Sequence, residues 1–153
     1  MKIASWNINS IKARLPNVLK WLQYAQPEVL LLQELKGTNE NFPITEIENL
    51  GYNCAINGQK AYNGVAILSK YPMDEISIGL PNNEDDEQAR YIEARVNINN
   101  NTGMRIASIY VPNGNPVDTE KFSYKNDWLD YLIEHSKTLL TNEEIVVLGG
   151  DYN

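Results

Sequence analysis

The stretch VLLLQE at residues 29–34 does most to decide the fold, because four apolar residues are followed by a glutamine and a glutamate. A strand that is apolar at every position, rather than at every second one, is typical of a sheet covered on both faces. The run therefore predicts a central strand with further layers on each side. It also ends at Glu34, a carboxylate placed where the buried part of the strand stops.

The segments around this strand alternate between helix and strand patterns. Residues 2–6 predict a short strand, and residues 64–68 predict another buried one. Between residues 15 and 22 apolar residues recur at the period of a helix with one buried face, and Pro27 marks its end. The residues of that face are Leu15, Val18, Leu19 and Leu22.

The second half of the chain continues the alternation. Residues 92–98 alternate between apolar and polar, which predicts a half-exposed strand, and turn residues 99–103 lead into a strand at 104–111, so the two form a hairpin. A long helix is predicted within 118–140, followed by a buried strand at 145–148. The predicted buried face of that helix consists of Leu129, Leu132, Ile133, Ser136 and Leu140. Mixed strands and helices predict an α/β or α+β fold.

Composition excludes several classes of protein. The 153 residues are 42% hydrophobic, enough for one domain with a core, and carry a net charge of −7. This charge argues against a protein that coats nucleic acid, but it leaves open an enzyme whose carboxylates surround a metal. Residues 82–87 hold much of the acidity and predict a solvated loop. The single cysteine, Cys54, and the absence of an apolar leader or membrane-length run predict a cytoplasmic protein.

Polar residues follow four of the predicted strands at the point where each strand ends. They are Asn7, Glu34, Tyr110, and Asp151 with Asn153. Taken singly, each has an ordinary explanation as a surface carboxylate, a turn or helix cap, or a core aromatic. Taken together, they supply oxygen ligands of the kind that Mg²⁺ prefers, whereas a zinc site would need more than one histidine and one cysteine. The pattern predicts a candidate metal and phosphate site.

Several motifs at these positions resemble the endonuclease/exonuclease/phosphatase superfamily, and within it the exonuclease III branch. KIASWNINS at 2–10 resembles the opening strand, LLQELK at 31–36 the metal-ligand block, and GDYN at 150–153 the GDxN box. GQKAYNGVA at 58–66 and IYVPNG at 109–114 are similar to branch-specific segments. The resemblance runs through the whole chain in order, and it is specific in combination.

The resemblance implies a four-layered α/β/β/α sandwich with mostly antiparallel mixed sheets, of which this chain would be the N-terminal half. It implies a DNA-repair phosphodiesterase that cleaves 5′ of abasic sites and trims 3′ ends of duplex DNA, using Mg²⁺ or alternatively Mn²⁺. Glu34 and Asn7 would hold the metal, and Tyr110, Asp151 and Asn153 would act on the phosphate and the attacking water. Lys60, Arg90 and Asn113 would contact the DNA.

The chain departs from the family pattern in one large respect. The family's second half carries an Asp–His pair, whereas the one histidine here, His135, lies in the predicted long helix and is expected to be an exposed helix residue. Residues 1–153 are therefore expected to be the N-terminal part of a single domain whose C-terminal part is absent. We expect the complete protein to be a monomer without membrane contact. The fragment would be nearly inactive, with an exposed apolar sheet face through which it self-associates.

Two alternatives remain open at this point. One is a phosphatase or phospholipid diesterase with the same fold, and the other is a non-catalytic split half that binds a metal or a partner.

Overall fold

The computed structural model describes all residues, 1–153. Eight strands and three α-helices follow one another along the chain, with a 3₁₀ turn at Asn39–Asn41. The strands are β1 (Ile3–Asn7), β2 (Val29–Gln33), β3 (Asn53–Asn57), β4 (Val65–Ser69), β5 (Met73–Ile78), β6 (Tyr91–Asn99), β7 (Thr102–Tyr110) and β8 (Ile145–Asp151). The helices are α1 (Ile11–Ala25), α2 (Ile44–Glu48) and α3 (Glu120–Leu140).

The strands form two four-stranded sheets of matching design. The first sheet has the order β1-β2-β4-β3 and the second has the order β5-β6-β7-β8. In each sheet two strand pairs are antiparallel and one is parallel: β1 with β2 in the first, and β7 with β8 in the second. The predicted hairpin is present as β6 and β7.

The two sheets pack face to face, with helices on both outer sides. Leu31 and Ile67 of the first sheet meet Ile92 and Ile106 of the second in one buried cluster. The opposite face of the first sheet packs on α1 and α2, and that of the second packs on α3. The chain thus contains all four layers of the predicted sandwich, although only its N-terminal half was expected. The expectation of an exposed apolar sheet face is wrong, because each sheet supplies the cover for the other.

Helix α1 shows why sequence periodicity placed its start too late. It begins at Ile11, which is 2% exposed, after the side chain of Ser10 accepts a hydrogen bond from the Ala13 N–H at 3.3 Å. It ends where Gln26 adopts a left-handed conformation immediately before Pro27. Pro27 therefore marks the end of the helix as predicted, whereas the Ser10 cap at its start lies outside the apolar periodicity.

The buried face of α3 is rotated from the predicted one. Trp128, Leu132 and Leu139 are buried, while Ile133 and Leu140 are 51% and 76% exposed. Trp128 carries the largest apolar surface on the helix, so its burial against the second sheet sets the face that points inward.

The outer face of β6 and β7 carries a buried charged group, which we call the outer-face cluster: Glu93, Arg105 and His135, with Tyr91, Glu75 and Glu144 around them. Alternation predicted that the polar side of β6 is half exposed, but Glu93 is only 5% exposed. His135, expected to be an exposed helix residue, has a side chain 11% exposed, with Nε2 at 2.6 Å from Glu93 Oε2. Both expectations fail because α3 covers this part of the sheet.

Strands β1 and β8 are the edge strands at one side of the sandwich, where they contact each other. The prediction that the last strand is buried is wrong: β8 is half-buried along most of its length, because no strand pairs with its outer edge. None of the helices combines the length and the apolar character needed to cross a membrane.

Candidate active site

The parallel strand pairs bring the polar strand ends to one rim of the sandwich. Asn7 lies opposite Gln33 at the end of β1 and β2, and Tyr110 lies opposite Asp151 at the end of β7 and β8. Because the members of each pair run in the same direction, their last residues lie side by side. Packing of β1 against β8 then joins the two ends into one site.

Four of the predicted residues are connected by hydrogen bonds, and we call them the rim cluster: Asn7, Glu34, Tyr110 and Asp151. The amide nitrogen of Asn7 donates to Glu34 Oε1 at 2.8 Å and to Asp151 Oδ2 at 2.8 Å. The hydroxyl of Tyr110 donates to the same Glu34 Oε1 at 3.0 Å. Each sheet therefore contributes two members, and the bonds cross the gap between the sheets.

Glu34 owes its direction to a sharp turn directly after β2. Its φ is +55° and that of Lys36 is +54°, a left-handed conformation that costs a residue with a Cβ atom about 1 kcal/mol or more. The turn is held by backbone bonds from Leu35 and Lys36 to the carbonyls of Gly64 and Asn63, at 3.1 and 2.9 Å. The backbone thus aims the Glu34 carboxylate into the rim instead of letting it continue the strand.

The surroundings of Glu34 favour its charged form. Burial acts to raise its pKa, but hydrogen bonds from Asn7, Lys36 and Tyr110 outweigh burial, and the net pKa is lowered. Lys36 Nζ lies 3.1 Å from Glu34 Oε2 and also donates to Asn9 Oδ1. Glu34 is therefore ionised at neutral pH and can bind a metal cation.

Tyr110 is held in its protonated form by the same contact. Burial, followed by the bond to the negative Glu34, raises the pKa of its hydroxyl. The phenol therefore remains a hydrogen-bond donor across the physiological range.

A buried polar layer supports the rim cluster from behind. Gln33 is 1% exposed, and its amide nitrogen donates to Ser5 Oγ at 3.2 Å and to Ser108 Oγ at 3.1 Å. Ser108 in turn donates to the carbonyl of Leu32 at 3.0 Å. These bonds join β1, β2 and β7, so they resist relative movement of the two sheets below the site.

The Asp151 end of the site depends on a glycine. Gly150 has a φ of +152°, and a Cβ added there would lie 2.0 Å from the carbonyl oxygen of Ile109. Beyond it, the Asn153 N–H donates to Asp151 Oδ1 at 2.9 Å, and the Asn153 side-chain amide donates to the Val111 carbonyl at 3.2 Å. Asn153 therefore borders the rim cluster and fixes one oxygen of Asp151.

The predicted DNA-contacting residues are arranged less tightly. Lys60 and Asn113 are exposed and make no side-chain hydrogen bond to the rim cluster. The Asn113 side chain accepts from its own loop, from the Asn115 N–H at 3.0 Å. Arg90 differs, because its guanidinium carbon lies 4.7 Å from the centre of the Tyr110 ring.

Sequence reasoning left out Asn9 and Lys36 as site residues, although both contact Glu34 or its partner. Lys36 is the last residue of the LLQELK segment at 31–36, so the resemblance to the family's metal-ligand block pointed to it. No sequence pattern around Asn9 identifies it as a site residue, because its contact with Lys36 depends on the turn after β1.

The donor set fits a hard divalent cation. The rim offers the carboxylate oxygens of Glu34 and Asp151 and the side-chain oxygen of Asn7, which accepts from the Asn9 N–H at 3.2 Å. No group of three or more His, Cys, Asp or Glu side chains is placed to hold a metal ion. Mg²⁺ is commonly held by one or two carboxylates while it keeps several waters for a phosphate to replace, whereas zinc sites use His and Cys.

Comparison with known proteins agrees with this architecture. Residues 4–153 match the Endonuclease/Exonuclease/phosphatase family, and the chain belongs to it. It is similar to exodeoxyribonuclease III of Haemophilus influenzae, with 33% identity over the whole chain and 57% of that relative.

Two solved structures share the fold closely. One is a 3′ phosphatase from Neisseria bound to product DNA hairpin, with 40% identity and a TM-score of 0.92 over 98% of this chain and 56% of the other. The other is an AP endonuclease from Archaeoglobus fulgidus, with 36% identity and a TM-score of 0.91 over 99% of this chain and 57% of the other. The chain spans about half the length of the curated relatives it matches.

Proposed function

We propose that this chain carries the metal and phosphate side of a Mg²⁺-dependent DNA-repair phosphodiesterase of the exonuclease III type. The enzyme would cleave 5′ of abasic sites and trim 3′ ends of duplex DNA. The observation that carries the proposal is the rim cluster, in which Asn7 joins Glu34 and Asp151 across two sheets at 2.8 Å each. The similar proteins named above act on DNA, which supports this substrate class.

Glu34 and Asn7 would hold the metal, with Mn²⁺ as the alternative to Mg²⁺. When bound, the ion would stabilise charge on the scissile phosphate. Glu34 suits this role because its pKa is lowered, so it is ionised at neutral pH.

Asp151 would orient or deprotonate the attacking water. Its Oδ2 is held by Asn7 and its Oδ1 by the Asn153 N–H, so the carboxylate cannot rotate freely. Tyr110 would place its hydroxyl beside the reacting phosphate, and the Asn153 amide would bind a phosphate oxygen. Both are hydrogen-bond donors at the rim, as stabilisation of a developing negative charge requires.

Lys60, Arg90 and Asn113 would contact the DNA backbone. The net charge of −7 gives no general attraction for DNA, so binding would depend on local contacts of this kind.

Activity would require a further segment, equivalent to the part of the relatives that this chain does not cover. The histidine of this chain does not reach the rim, since His135 is bound to Glu93 under α3. We therefore propose that residues 1–153 are the N-terminal part of one domain and are nearly inactive by themselves. The complete protein would be a monomer, whereas the isolated chain would self-associate along the open edges of β1 and β8. Strong cleavage by a monodisperse 153-residue monomer would contradict both statements.

The test of the function uses the protein expressed from its complete coding sequence. A duplex with one abasic site and a second duplex with a recessed 3′ end are incubated with Mg²⁺ and then with EDTA. We expect EDTA-sensitive incision of the first and shortening of the second. No incision and no shortening, combined with hydrolysis of a phospholipid or of a phosphate ester outside DNA, would favour the phosphatase or phospholipid diesterase alternative. No hydrolysis of any of them would favour a non-catalytic split half.

A matched pair of variants connects the activity to the rim. Glu34→Gln removes a proposed metal ligand and should lower kcat by about a hundredfold or more. Glu46→Gln makes the same chemical change at an exposed position of α2 and should leave kcat unchanged. Equal activities of the two variants would contradict the assignment of Glu34.

A further inference from the structure

Arg90 lies between two tyrosine rings beside the rim cluster. Its guanidinium carbon is 4.7 Å from the centre of the Tyr110 ring and 6.0 Å from that of the Tyr124 ring. Tyr110 ends β7 and Tyr124 lies near the start of α3, so Arg90 connects the site to the outer helix. A guanidinium over the face of an aromatic ring is attracted by the electron-rich face.

The position of Arg90 is fixed on several sides. Its Nε donates to Gln88 Oε1 at 2.7 Å, and its Nη1 donates to the Tyr110 carbonyl at 3.3 Å. Its own carbonyl accepts the Tyr110 N–H at 2.8 Å. Arg90 therefore contacts Tyr110 in three ways: at the backbone carbonyl, at the backbone N–H and at the face of the ring.

Tyr124 is fixed in turn by the acidic loop. Its hydroxyl donates to Asp86 Oδ2 at 2.8 Å, and Asp86 also accepts from Asn83 at 3.2 Å and from the Gln88 N–H at 3.0 Å. Burial and the negative Asp86 raise the pKa of Tyr124, which keeps this hydroxyl a donor. Asp86 is thus half-buried and holds Tyr124, whereas the acidic residues around it are exposed.

We propose that Arg90 and Tyr124 are positioning residues that hold the Tyr110 ring so that its hydroxyl stays on Glu34. The proposal rests on the function proposed above and adds a role for Arg90 beyond contact with DNA. Tyr110 is only half-buried, so the packing around its ring alone does not fix it. The stack of Asp86, Tyr124 and Arg90 supplies the missing constraint on the side away from Glu34.

The test is a double-mutant cycle in the complete protein, with incision of the abasic duplex as the assay. Arg90→Lys keeps the charge but loses the planar stack and the fixed pair of donors. It should lower kcat by about tenfold with little change in KM, because the donor is misplaced rather than the substrate lost. In a Tyr110→Phe background the same change should alter kcat by less than about twofold, because the hydroxyl it positions is gone.

A role confined to phosphate contact gives a different result. Arg90→Lys would then raise KM, change the salt dependence, and have the same effect in both backgrounds. That result would overturn the proposal. Tyr124→Phe keeps the ring beside Arg90 but removes the hydroxyl bond to Asp86, so it should lower kcat by less than Arg90→Lys does, whereas Tyr124→Leu should reproduce the full kcat loss of Arg90→Lys.

A second measurement does not depend on any substrate. The ring signals of Tyr110, assigned by comparison with Tyr110→Phe in tyrosine-labelled protein, should move in Arg90→Lys and stay in place in the control Arg14→Lys, an exposed position on α1. Unchanged Tyr110 signals in Arg90→Lys would overturn the proposal even if the protein proves not to cleave DNA. Absence of cleavage by the wild-type protein, with the signals moved, would instead contradict the proposed function alone.

Discussion

The rim cluster and the outer-face cluster contain similar residues, but the first lies at an open rim and the second is largely buried. Both join carboxylates, a tyrosine and a basic side chain. In the outer-face cluster Glu93 is 5% exposed, and its Oε2 receives the Tyr91 hydroxyl at 2.6 Å and lies 2.6 Å from His135 Nε2. Arg105 lies 2.6 Å from Glu75, 3.2 Å from Glu144 and 3.7 Å from Glu93, so each of the three carboxylates has a cationic partner.

The rim cluster is neither covered by a helix nor supplied with a cation for each carboxylate. Glu34 and Asp151 are only partly buried, and they meet at strand ends that face solvent instead of a covering helix. Their main partner is a neutral amide, that of Asn7, and a single cation, Lys36, stands beside them. The comparison teaches that a group of buried charges is not by itself a functional site. What distinguishes the rim is acidic oxygen that is ordered, accessible and incompletely neutralised.

The sharpest test of this difference removes one carboxylate of the rim. Asp151→Asn keeps the shape of the side chain but removes the charge and the proton acceptor. For the complete protein we expect kcat on the abasic duplex to fall by roughly 10²–10⁴-fold, as loss of a general base does. Unfolding by urea, followed by circular dichroism, should show a stability close to that of the wild type. A large loss of stability with retained kcat would mean that the rim is a structural cluster like the outer-face one.

The opposite pattern is expected when the outer-face cluster is broken. Arg105→Leu removes the guanidinium that lies 3.7 Å from the buried Glu93 and should lower the free energy of unfolding by about 3–5 kcal/mol, the usual cost of removing one partner of a buried ion pair. The folded fraction should keep its kcat. The control is Arg14→Leu on the exposed face of α1, where urea unfolding should change little. Loss of kcat without loss of stability in Arg105→Leu would assign this cluster a function.

A smaller change probes one bond of the outer-face cluster. Tyr91→Phe removes the hydroxyl that donates to Glu93 and should cost about 1–3 kcal/mol, since an acceptor is left with one partner fewer. Tyr24→Phe is the matched control, because Tyr24 is 89% exposed on α1. Thermal unfolding of both variants gives the comparison. If they unfold at the same temperature, the Tyr91–Glu93 bond contributes nothing net, and the closure of the outer-face cluster depends on Arg105 and His135.

Much of the site was predictable because its residues end local patterns. Glu34 and Asp151 follow apolar runs that predict strands, and parallel neighbours must end at the same edge of a sheet. The four-layered fold came from the same runs together with the family resemblance. Strands β3 and β5 and helix α2 were not predicted, because their patterns are short and β5 has an almost fully exposed face.

Other features could not be predicted, because they depend on which faces meet. The face of α3 was wrong by part of a turn, since periodicity weighs each apolar residue equally while Trp128 dominates the packing. His135 was expected to be exposed, because nothing near it in the sequence announces Glu93, which lies 42 residues earlier. The charge of Arg90 predicts a contact with DNA, whereas its packing on Tyr110 and Tyr124 could not be predicted, because the two rings belong to different elements.

The sequence by itself determined where the strands that carry the site stop and which oxygen-bearing side chains stand at their ends, because period and polarity are local properties of the chain. Only the tertiary structure decided that these ends form one site. The bond from Asn7 to Asp151 spans 144 positions, and it exists because two separate sheets pack through their apolar faces with β1 against β8. The same packing, by covering one charged cluster with α3 and leaving the other at an open rim, separates the structural charges from those available for chemistry.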